Sequence, residues 1–224
     1  MTSARDDILG NIRRSLGVKG STRIREQAVD ERLERAPKGL IPARGQLDAA
    51  GRKQLFRERA EAVQTTVVFA PNPEAVPEYV SRYLRDKNLP AALRLGADPY
   101  LVSMPWENTA IDVSSGRSDG NDLSAVSHAV AGVAETGTLV LVSGAENPTT
   151  LNFLPDNHIV VLRAADIAGD YETVWGKLRM AYGKGEMPRT VNYITGPSRS
   201  GDIEQKLLLG AHGPRNLHIV IVEA

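Results

Sequence analysis

Two short segments in the C-terminal half of the chain combine glycine, hydroxyl and charged residues in patterns that suit ligand binding. The first is Glu135-Thr136-Gly137-Thr138, which leads into an apolar run over 139–142. Glycine permits a positive φ or a close approach of a ligand to the backbone. The two threonine hydroxyls and the loop N–H groups could hold an anion, and Glu135 beside it could act as a nucleophile, a base or a metal ligand. The alternative is a tight turn without a chemical role.

The second segment covers residues 195–200 and follows a predicted strand over 191–194. We predict a strand–loop–helix element, with a helix over 202–209 that Ser198 or Ser200 caps. The free N–H groups and the macrodipole of such a helix favour a phosphate or a carboxylate. The alternative is a well-capped helix that binds nothing.

Charged residues in and just after the second segment have opposite effects on the binding of an anion. Arg199 offers a bidentate partner to an anion, whereas Asp202 and Glu204 stabilise the helix start and would compete with a bound anion. The candidate ligand-binding residues of the two segments and the turn that follows are Thr136, Gly137, Thr138, Gly196, Pro197, Ser198, Arg199, Asp202, Glu204 and Gly213.

Three residues are candidate catalytic groups: Glu135, His158 and His212. Each could serve as a general base. His158 enters a predicted strand, where a lone histidine is more often structural, and His212 stands directly before a Gly-Pro turn. No group of His, Asp and Glu residues has the spacing of a metal site, so we predict no bound metal.

The elements that must position these residues alternate between strand and helix from residue 65 onward. This alternation predicts an α/β fold with a largely parallel sheet and flanking helices. The predicted strands cover 65–69, 92–95, 111–113, 138–142, 158–163, 191–194 and 217–222, and the predicted helices cover 74–87, 123–133, 167–182 and 202–209.

Residues 1–64 are predicted to form a helical arm and linker ahead of an α/β domain over residues 65–224. Ile8, Ile12 and Leu16 form an apolar stripe at four-residue spacing, which predicts a helix over 4–16. Glycines and prolines interrupt residues 17–46, which we interpret as a linker that orders only against a partner. A further helix is predicted over 47–63.

Charge is unevenly distributed along a chain whose net charge is zero. Residues 1–60 hold 14 Lys+Arg and 8 Asp+Glu, whereas residues 61–224 hold 13 and 19. The basic arm could fold onto the acidic body, meet an acidic partner or simply be solvated. Nucleic acid is not expected as a partner, because the basic residues lack interleaved aromatic residues and no nucleic-acid motif is present.

Composition excludes several further classes. The 224 residues include no cysteine, which excludes disulfides, a cysteine nucleophile and the usual ligands of an iron–sulfur cluster. The N-terminal residues contain no apolar stretch typical of a secretory signal, and no run of about 18 apolar residues indicates a membrane span. We therefore expect a cytoplasmic protein.

Four segments together, AETGTLVL, LPDNHIVVL, TGPSRSGDIEQKLLLGAHGP and LHIVIV, resemble the LUD-domain family, and within it the lactate utilization protein C group. The resemblance covers roughly residues 65–224, and the short N-terminal helix also fits. It implies a NagB/RpiA/CoA-transferase-like fold and a cytoplasmic role in oxidising L-lactate to pyruvate. It also implies two companion proteins that carry the iron–sulfur clusters, in agreement with the absence of cysteine here. The family does not supply an established catalytic set, so the residues named above stay candidates.

Three functional hypotheses follow. The first is a non-cluster subunit of an iron–sulfur system for L-lactate, which has no cofactor of its own and binds a small carboxylate or docks its redox partners. The second is a stand-alone CoA-transferase-like or phosphate-ester-binding enzyme, because the segment from Ala134 to Gly137 is similar to the Ser-Glu-Asn-Gly element of class I CoA-transferases, whose glutamate accepts the acyl group. The third is a regulatory or scaffolding module.

Overall fold

The computed structural model describes residues 3–17, 23–183, 185–200 and 208–223. Contacts within the chain define two compact units, residues 1–40 and residues 41–224. The α-helices are α1 (Ala4–Ser15), α2 (Arg23–Arg35), α3 (Ala49–Ala62), α4 (Val76–Asp86), α5 (Pro99–Val102), α6 (Thr150–Phe153) and α7 (Tyr171–Tyr182). The strands are β1 (Thr66–Ala70), β2 (Ala92–Leu95), β3 (Asp112–Ser115), β4 (Ser124–His128), β5 (Ala131–Val133), β6 (Thr138–Val142), β7 (Asn157–Arg163), β8 (Ile167–Ala168), β9 (Val191–Ile194), β10 (Arg199–Ser200), β11 (Leu208–Leu209) and β12 (Asn216–Val222).

The first unit contains two helices without a buried residue. A capping box starts α1, because the Ser3 side chain accepts from the Asp6 N–H and the Asp6 carboxylate accepts from the Ser3 N–H. The second helix is a correction, since we interpreted residues 17–46 as a linker. Residues 23–35 contain no glycine or proline and are rich in Arg and Glu, which are good helix formers. The helix breakers Gly17, Gly20 and Pro37 lie outside this stretch.

A six-stranded parallel sheet in the order β1-β12-β7-β4-β2-β3 is the centre of the second unit. One face packs against α4 and α5 through a core that includes Val80, Leu84 and Leu101. The mostly parallel sheet with flanking helices confirms the predicted α/β class. Its most buried strands, β7 and β12, are continuous Val/Ile/Leu runs, as expected for strands covered on both faces.

The other face of the main sheet packs against a second sheet, in the order β8-β5-β6-β9. The helix α3 joins this core through Phe56 and Ala60, so the segment predicted as an arm includes a helix that belongs to the α/β unit. Val174 and Leu178 of α7 cover the far face of the second sheet. The sequence analysis did not predict this second sheet.

One predicted helix in the second unit is wrong, and the end of another is contradicted. The expected helix over 123–133 forms β4 and β5, because small and β-branched residues there pair with β2, β7 and β6 instead of forming local hydrogen bonds. The expected helix over 202–209 does not reach its predicted end, because residues 208 and 209 pair as a strand with 199 and 200. Residues 202–207 lie outside the described residues.

Within the described ranges, no helix has both the length and the apolar content needed to cross a bilayer.

Candidate functional site

A small cleft of about 210 Å³ opens between the two sheets, at the amino ends of β7 and β12. The main sheet contributes His158 and Leu217, the second residue of each strand. The second sheet contributes the end of β9 and the loop after it. The residues that line the cleft are Asn152, Phe153, His158, Tyr193, Ile194, Thr195, Gly196, Pro197, Ser198, His212, Gly213, Pro214 and Leu217.

His158 is the most buried polar residue of the cleft, with 1% of its surface exposed. Its Nε2 lies 3.0 Å from the Ser127 Oγ, and that hydroxyl donates to the Asn152 Oδ1 at 3.0 Å. Because the serine proton goes to Asn152, the serine oxygen accepts from His158, which assigns the ring proton to Nε2. Nδ1 then carries a lone pair that has no hydrogen-bond partner among the described residues.

Burial lowers the pKa of His158 to about 3, because the interior disfavours the charged imidazolium. The ring is therefore neutral at physiological pH. This favours a role as a hydrogen-bond acceptor over a role as a strong base.

Ser198 holds the two loops of the cleft together. Its N–H donates to the Pro214 carbonyl at 2.8 Å, and its carbonyl accepts from the Gly210 N–H at 3.0 Å. Its Oγ accepts from the N–H of His212 at 3.4 Å. The His212 side chain is exposed at the rim, where it can reach a bound molecule.

The structure brings together part of the predicted site. His158, His212, Gly196, Pro197, Ser198 and Gly213 all line the cleft. Arg199 is turned away, because its guanidinium donates to the carbonyl of Val63. The predicted residues Asp202 and Glu204 lie outside the described residues.

The residues of the first segment form a tight hairpin between β5 and β6, not the predicted helix-to-strand connection. Thr136 and Thr138 share hydrogen bonds with each other and with the Tyr171 hydroxyl, at 2.7–3.0 Å. Thr138 also lies 2.6 Å from the Thr195 Oγ1. Since Thr195 lines the cleft, this hydroxyl cluster connects the first segment to the cleft wall without placing Thr136, Gly137 or Thr138 in its lining.

Glu135 is separate from the cleft and is bound to a different part of the chain. One carboxylate oxygen lies 3.3 Å from the Arg44 guanidinium, and the Glu135 side chain is 4% exposed compared with 57% for Arg44. The Glu135 N–H donates to the Gly169 carbonyl at 3.2 Å. These contacts are typical of a structural residue: Glu135 links the segment before α3 to the hairpin between β5 and β6.

We expect Arg44→Ala to lower the free energy of unfolding by about 1–2 kcal/mol, because it leaves a buried carboxylate without its counter-ion; the exposure of Arg44 reduces the effect below that of a fully buried pair. In a Glu135→Gln background the same change should have a much smaller effect. Urea denaturation of the two single variants and the double variant measures the coupling. Arg85→Ala, whose partner Glu78 is also exposed, is the control; equal losses for Arg44→Ala and Arg85→Ala would contradict this account.

Sequence reasoning missed Ser127 and Tyr193 as parts of the site. Ser127 lay within a predicted helix, so nothing in its neighbourhood suggested that it faces His158. An alternating strand pattern over Ser124–His128 is the signal that could have found it. In such a strand the side chains of Ala125 and Ser127 lie on the same face of the sheet. His158 is opposite Ala125 on the neighbouring strand, so its side chain lies on that face too.

The fold and the cleft define the class: an α/β protein in which a parallel sheet packs on a smaller second sheet, with a small cleft between them. Residues 123–222 match the LUD domain family. The matched range includes every residue of the cleft.

The chain is also similar to several named proteins and to a solved structure. The chain is 32% identical over 126 residues to a protein named Lactate utilization protein C of Geobacillus thermodenitrificans, a match that covers 53% of this chain and 52% of the relative. An uncharacterized protein of Neisseria meningitidis serogroup B is 31% identical over 171 residues, 75% of this chain and 66% of the relative. The chain thus spans about half the length of the lactate utilization protein C relatives that it matches. The crystal structure of a DUF162 family protein from Deinococcus radiodurans shares the fold, with a TM-score of 0.59, 21% identity, and coverage of 79% of this chain and 99% of that one.

Proposed function

We propose that this protein acts in L-lactate utilization, as a non-cluster subunit of a cytoplasmic iron–sulfur system that oxidises L-lactate to pyruvate. The observation that carries the proposal is the similarity to proteins named Lactate utilization protein C. The separate match to the LUD domain family, over residues 123–222, includes the segments that build the cleft. The role of the chain in such a system is to hold a small carboxylate in the cleft and to dock the redox partners.

The size and polarity of the cleft suit a small hydroxy acid. Its volume of about 210 Å³ is below the roughly 300–1,000 Å³ of sites for drug-sized ligands. The Nδ1 lone pair of His158 can accept from a ligand hydroxyl, and the Ser198 hydroxyl and the exposed His212 can donate to a carboxylate. Apolar contacts come from Phe153 and Leu217.

Lactate oxidation removes two electrons and two protons, and the electrons require a carrier. The chain has no cysteine, the usual cluster ligand. The proposal therefore assigns the iron–sulfur clusters to companion proteins. The basic N-terminal stretch and the exposed Ile8, Ile12 and Leu16 around α1 are the features that suit docking such a partner.

The position of Glu135 disfavours the acyl-transfer alternative. A nucleophilic carboxylate must reach the acyl group of its substrate, whereas this one is buried beside Arg44 and does not line the cleft. A role without any ligand is disfavoured by the buried, unpartnered Nδ1 of His158 in the cleft wall, because buried polar atoms normally have partners.

The proposal is tested by affinity purification of the chain from its native host grown anaerobically on L-lactate. Companion chains that co-elute with a visible iron–sulfur absorption band are the expected result. A colourless protein that elutes alone under these conditions would contradict the subunit role.

A variant of the cleft tests the ligand role in the same host. We expect the double variant Ser198→Ala, His212→Ala to slow growth on L-lactate by about tenfold, because the loss of two ligand hydrogen bonds weakens binding by roughly 1.4 kcal/mol or more. Ser115→Ala is the matched control, because Ser115 is exposed on the edge strand β3. Unchanged growth of the double variant would remove the cleft from the lactate function.

A further inference from the structure

A second group of polar side chains lies at the carboxyl edge of the main sheet, opposite to the cleft. Asp98 follows β2, His128 ends β4 and Arg163 ends β7, and these three strands are neighbours in the sheet. The carboxyl ends of parallel strands are where open α/β sheets bind ligands. With Tyr100 and Asn147, these residues form what we call the carboxyl-edge cluster.

Asp98 is the organising residue of the cluster. Its Oδ1 accepts from the N–H groups of Tyr100 and Leu101, at 3.0 and 3.4 Å, and so begins α5. Its Oδ2 lies 3.3 Å from the His128 Nδ1 and accepts from the Asn147 amide at 3.3 Å. Burial opposes ionisation, but the interactions with His128, Asn147 and Leu101 outweigh it and lower the pKa of Asp98.

The ionised carboxylate fixes the tautomer of His128. Because Asp98 can only accept, the proton of the neutral ring stands on Nδ1 and the lone pair on Nε2. Nε2 is buried and finds no hydrogen-bond partner among the described residues. Capping of α5 accounts for the hydrogen bonds of the Asp98 Oδ1. It does not account for the contact between Asp98 and His128, or for the unpartnered Nε2 of His128.

Tyr100 and Arg163 add a hydroxyl and a cation to the cluster. The Tyr100 ring lies 4.7 Å from the His128 ring, and its hydroxyl also has no partner within the described ranges. The Arg163 guanidinium lies 5.8 Å from the centre of the Tyr100 ring. In the sheet register His128 is opposite Val161, so Arg163 stands two residues further along the same face.

The loop after β6 covers the cluster. Asn147 joins it to Asp98, and the carbonyl of Glu146 lies so close to Gly96 that a Cβ there would be 2.1 Å away. The middle of this loop, residues 144–146, is exposed.

We propose that the carboxyl-edge cluster is a second ligand site, which takes a small 2-hydroxycarboxylate. The ligand hydroxyl donates to Nε2 of His128, and its carboxylate binds the terminal nitrogens of Arg163, whose Nε is held by Asp166 at 2.6 Å. This second site rests on the proposed function only in the choice of L-lactate as the probe. The need for a ligand with a hydroxyl and a carboxylate follows from the cluster itself, which offers Nε2 of His128 as an acceptor and Arg163 as a cation.

The test uses the imidazole C–H signals of the full-length protein in NMR spectra. The chain has four histidines, so His→Gln variants assign each signal. L-Lactate should shift the His128 signals saturably. Propionate, which lacks the hydroxyl, and propan-2-ol, which lacks the carboxylate, should bind at least about tenfold more weakly, as the loss of one hydrogen bond or ion pair predicts.

Two variants of the carboxyl-edge cluster and one variant of the cleft show which site produces the shift of the His128 signals. Arg163→Gln changes a half-exposed side chain and should abolish the shift of His128, and Asp98→Asn should weaken it by removing the charge that fixes the tautomer. Ser198→Ala should leave it unchanged. A lactate response confined to the signals of His158 and His212 would overturn the second site and leave the proposed function intact. Equal binding of propionate would overturn the role of His128.

Discussion

Replacing Gly137 with alanine is expected to lower the free energy of unfolding by about 3 kcal/mol. Gly137 has a φ of +68° in the hairpin between β5 and β6, a region that costs an L-residue about 1–2 kcal/mol. A Cβ at this position would also lie 2.4 Å from the backbone nitrogen of Ala60. That atom belongs to α3 and cannot rotate aside, so the overlap adds about 1–3 kcal/mol of overpacking.

Urea denaturation followed by circular dichroism measures this change, and Gly144→Ala is the matched control. Gly144 lies in an exposed loop, and a Cβ there would meet no atom within 4 Å. We expect the control to change stability by less than about 0.5 kcal/mol. A loss below about 1 kcal/mol for Gly137→Ala would mean that the hairpin can move away from α3, and that the glycine is not needed for packing.

The strands that the sequence predicts well are those whose residues are apolar on both faces. The runs at β6, β7 and β12 are rich in Val, Ile and Leu and are bounded by polar turns, so their type follows from composition and length alone. The edge strand β1 is only partly buried, and its type follows from the β-branched residues 65–68 between Gln64 and Pro71. Burial on both sides leaves β6, β7 and β12 no other stable arrangement in an α/β fold.

The segment from residue 123 to 133 shows where local pattern fails. Serine, alanine and glycine there are small enough for either a helix or a crowded sheet interior, and periodicity does not separate the two. Pairing with strands distant in sequence decides the structure of residues 124–128, as where Ile159 lies opposite Val126. The hairpin that turns at Gly137 depends on the pairing of β5 with β6. The sequence predicted a helix in place of β5, so the position of the Glu135 side chain could not be predicted either.

The two polar sites differ in how far the sequence reveals them. The cleft is built from glycine, proline and histidine in turns, where unusual residue types mark a loop with a special geometry. The carboxyl-edge cluster is built from Asp98, His128 and Asn147, which are 30 and 19 residues apart along the chain. No motif has this spacing: the parallel pairing of β2 and β4 brings Asp98 and His128 together, and the loop after β6, a strand of the second sheet, adds Asn147.

The protein is expected to lose stability steeply as the pH falls from about 6 to 4.5, because two histidines are buried in their neutral form. Burial lowers the pKa of His158 to about 3, and burial with the nearby charge of Lys87 lowers that of His218 to about 4. The unfolded chain takes up both protons near pH 6.5, so protonation favours unfolding over this range. Each proton contributes about 1.4 kcal/mol per pH unit, and the two together about 2.7 kcal/mol per pH unit.

His218→Gln separates the two contributions. His218 lies 2.7 Å from the Thr66 Oγ1 and is stacked on Tyr83, and glutamine can keep the hydrogen bond but cannot take up a proton. We expect the slope of unfolding free energy against pH to fall by about half in this variant, because one of the two linked protons is removed. Ser115→Ala, which changes an exposed side chain and removes no titratable group, should leave the slope unchanged. A slope in His218→Gln equal to that of the unaltered protein would mean that His218 becomes protonated without unfolding, which its burial on the α4 side of the main sheet argues against.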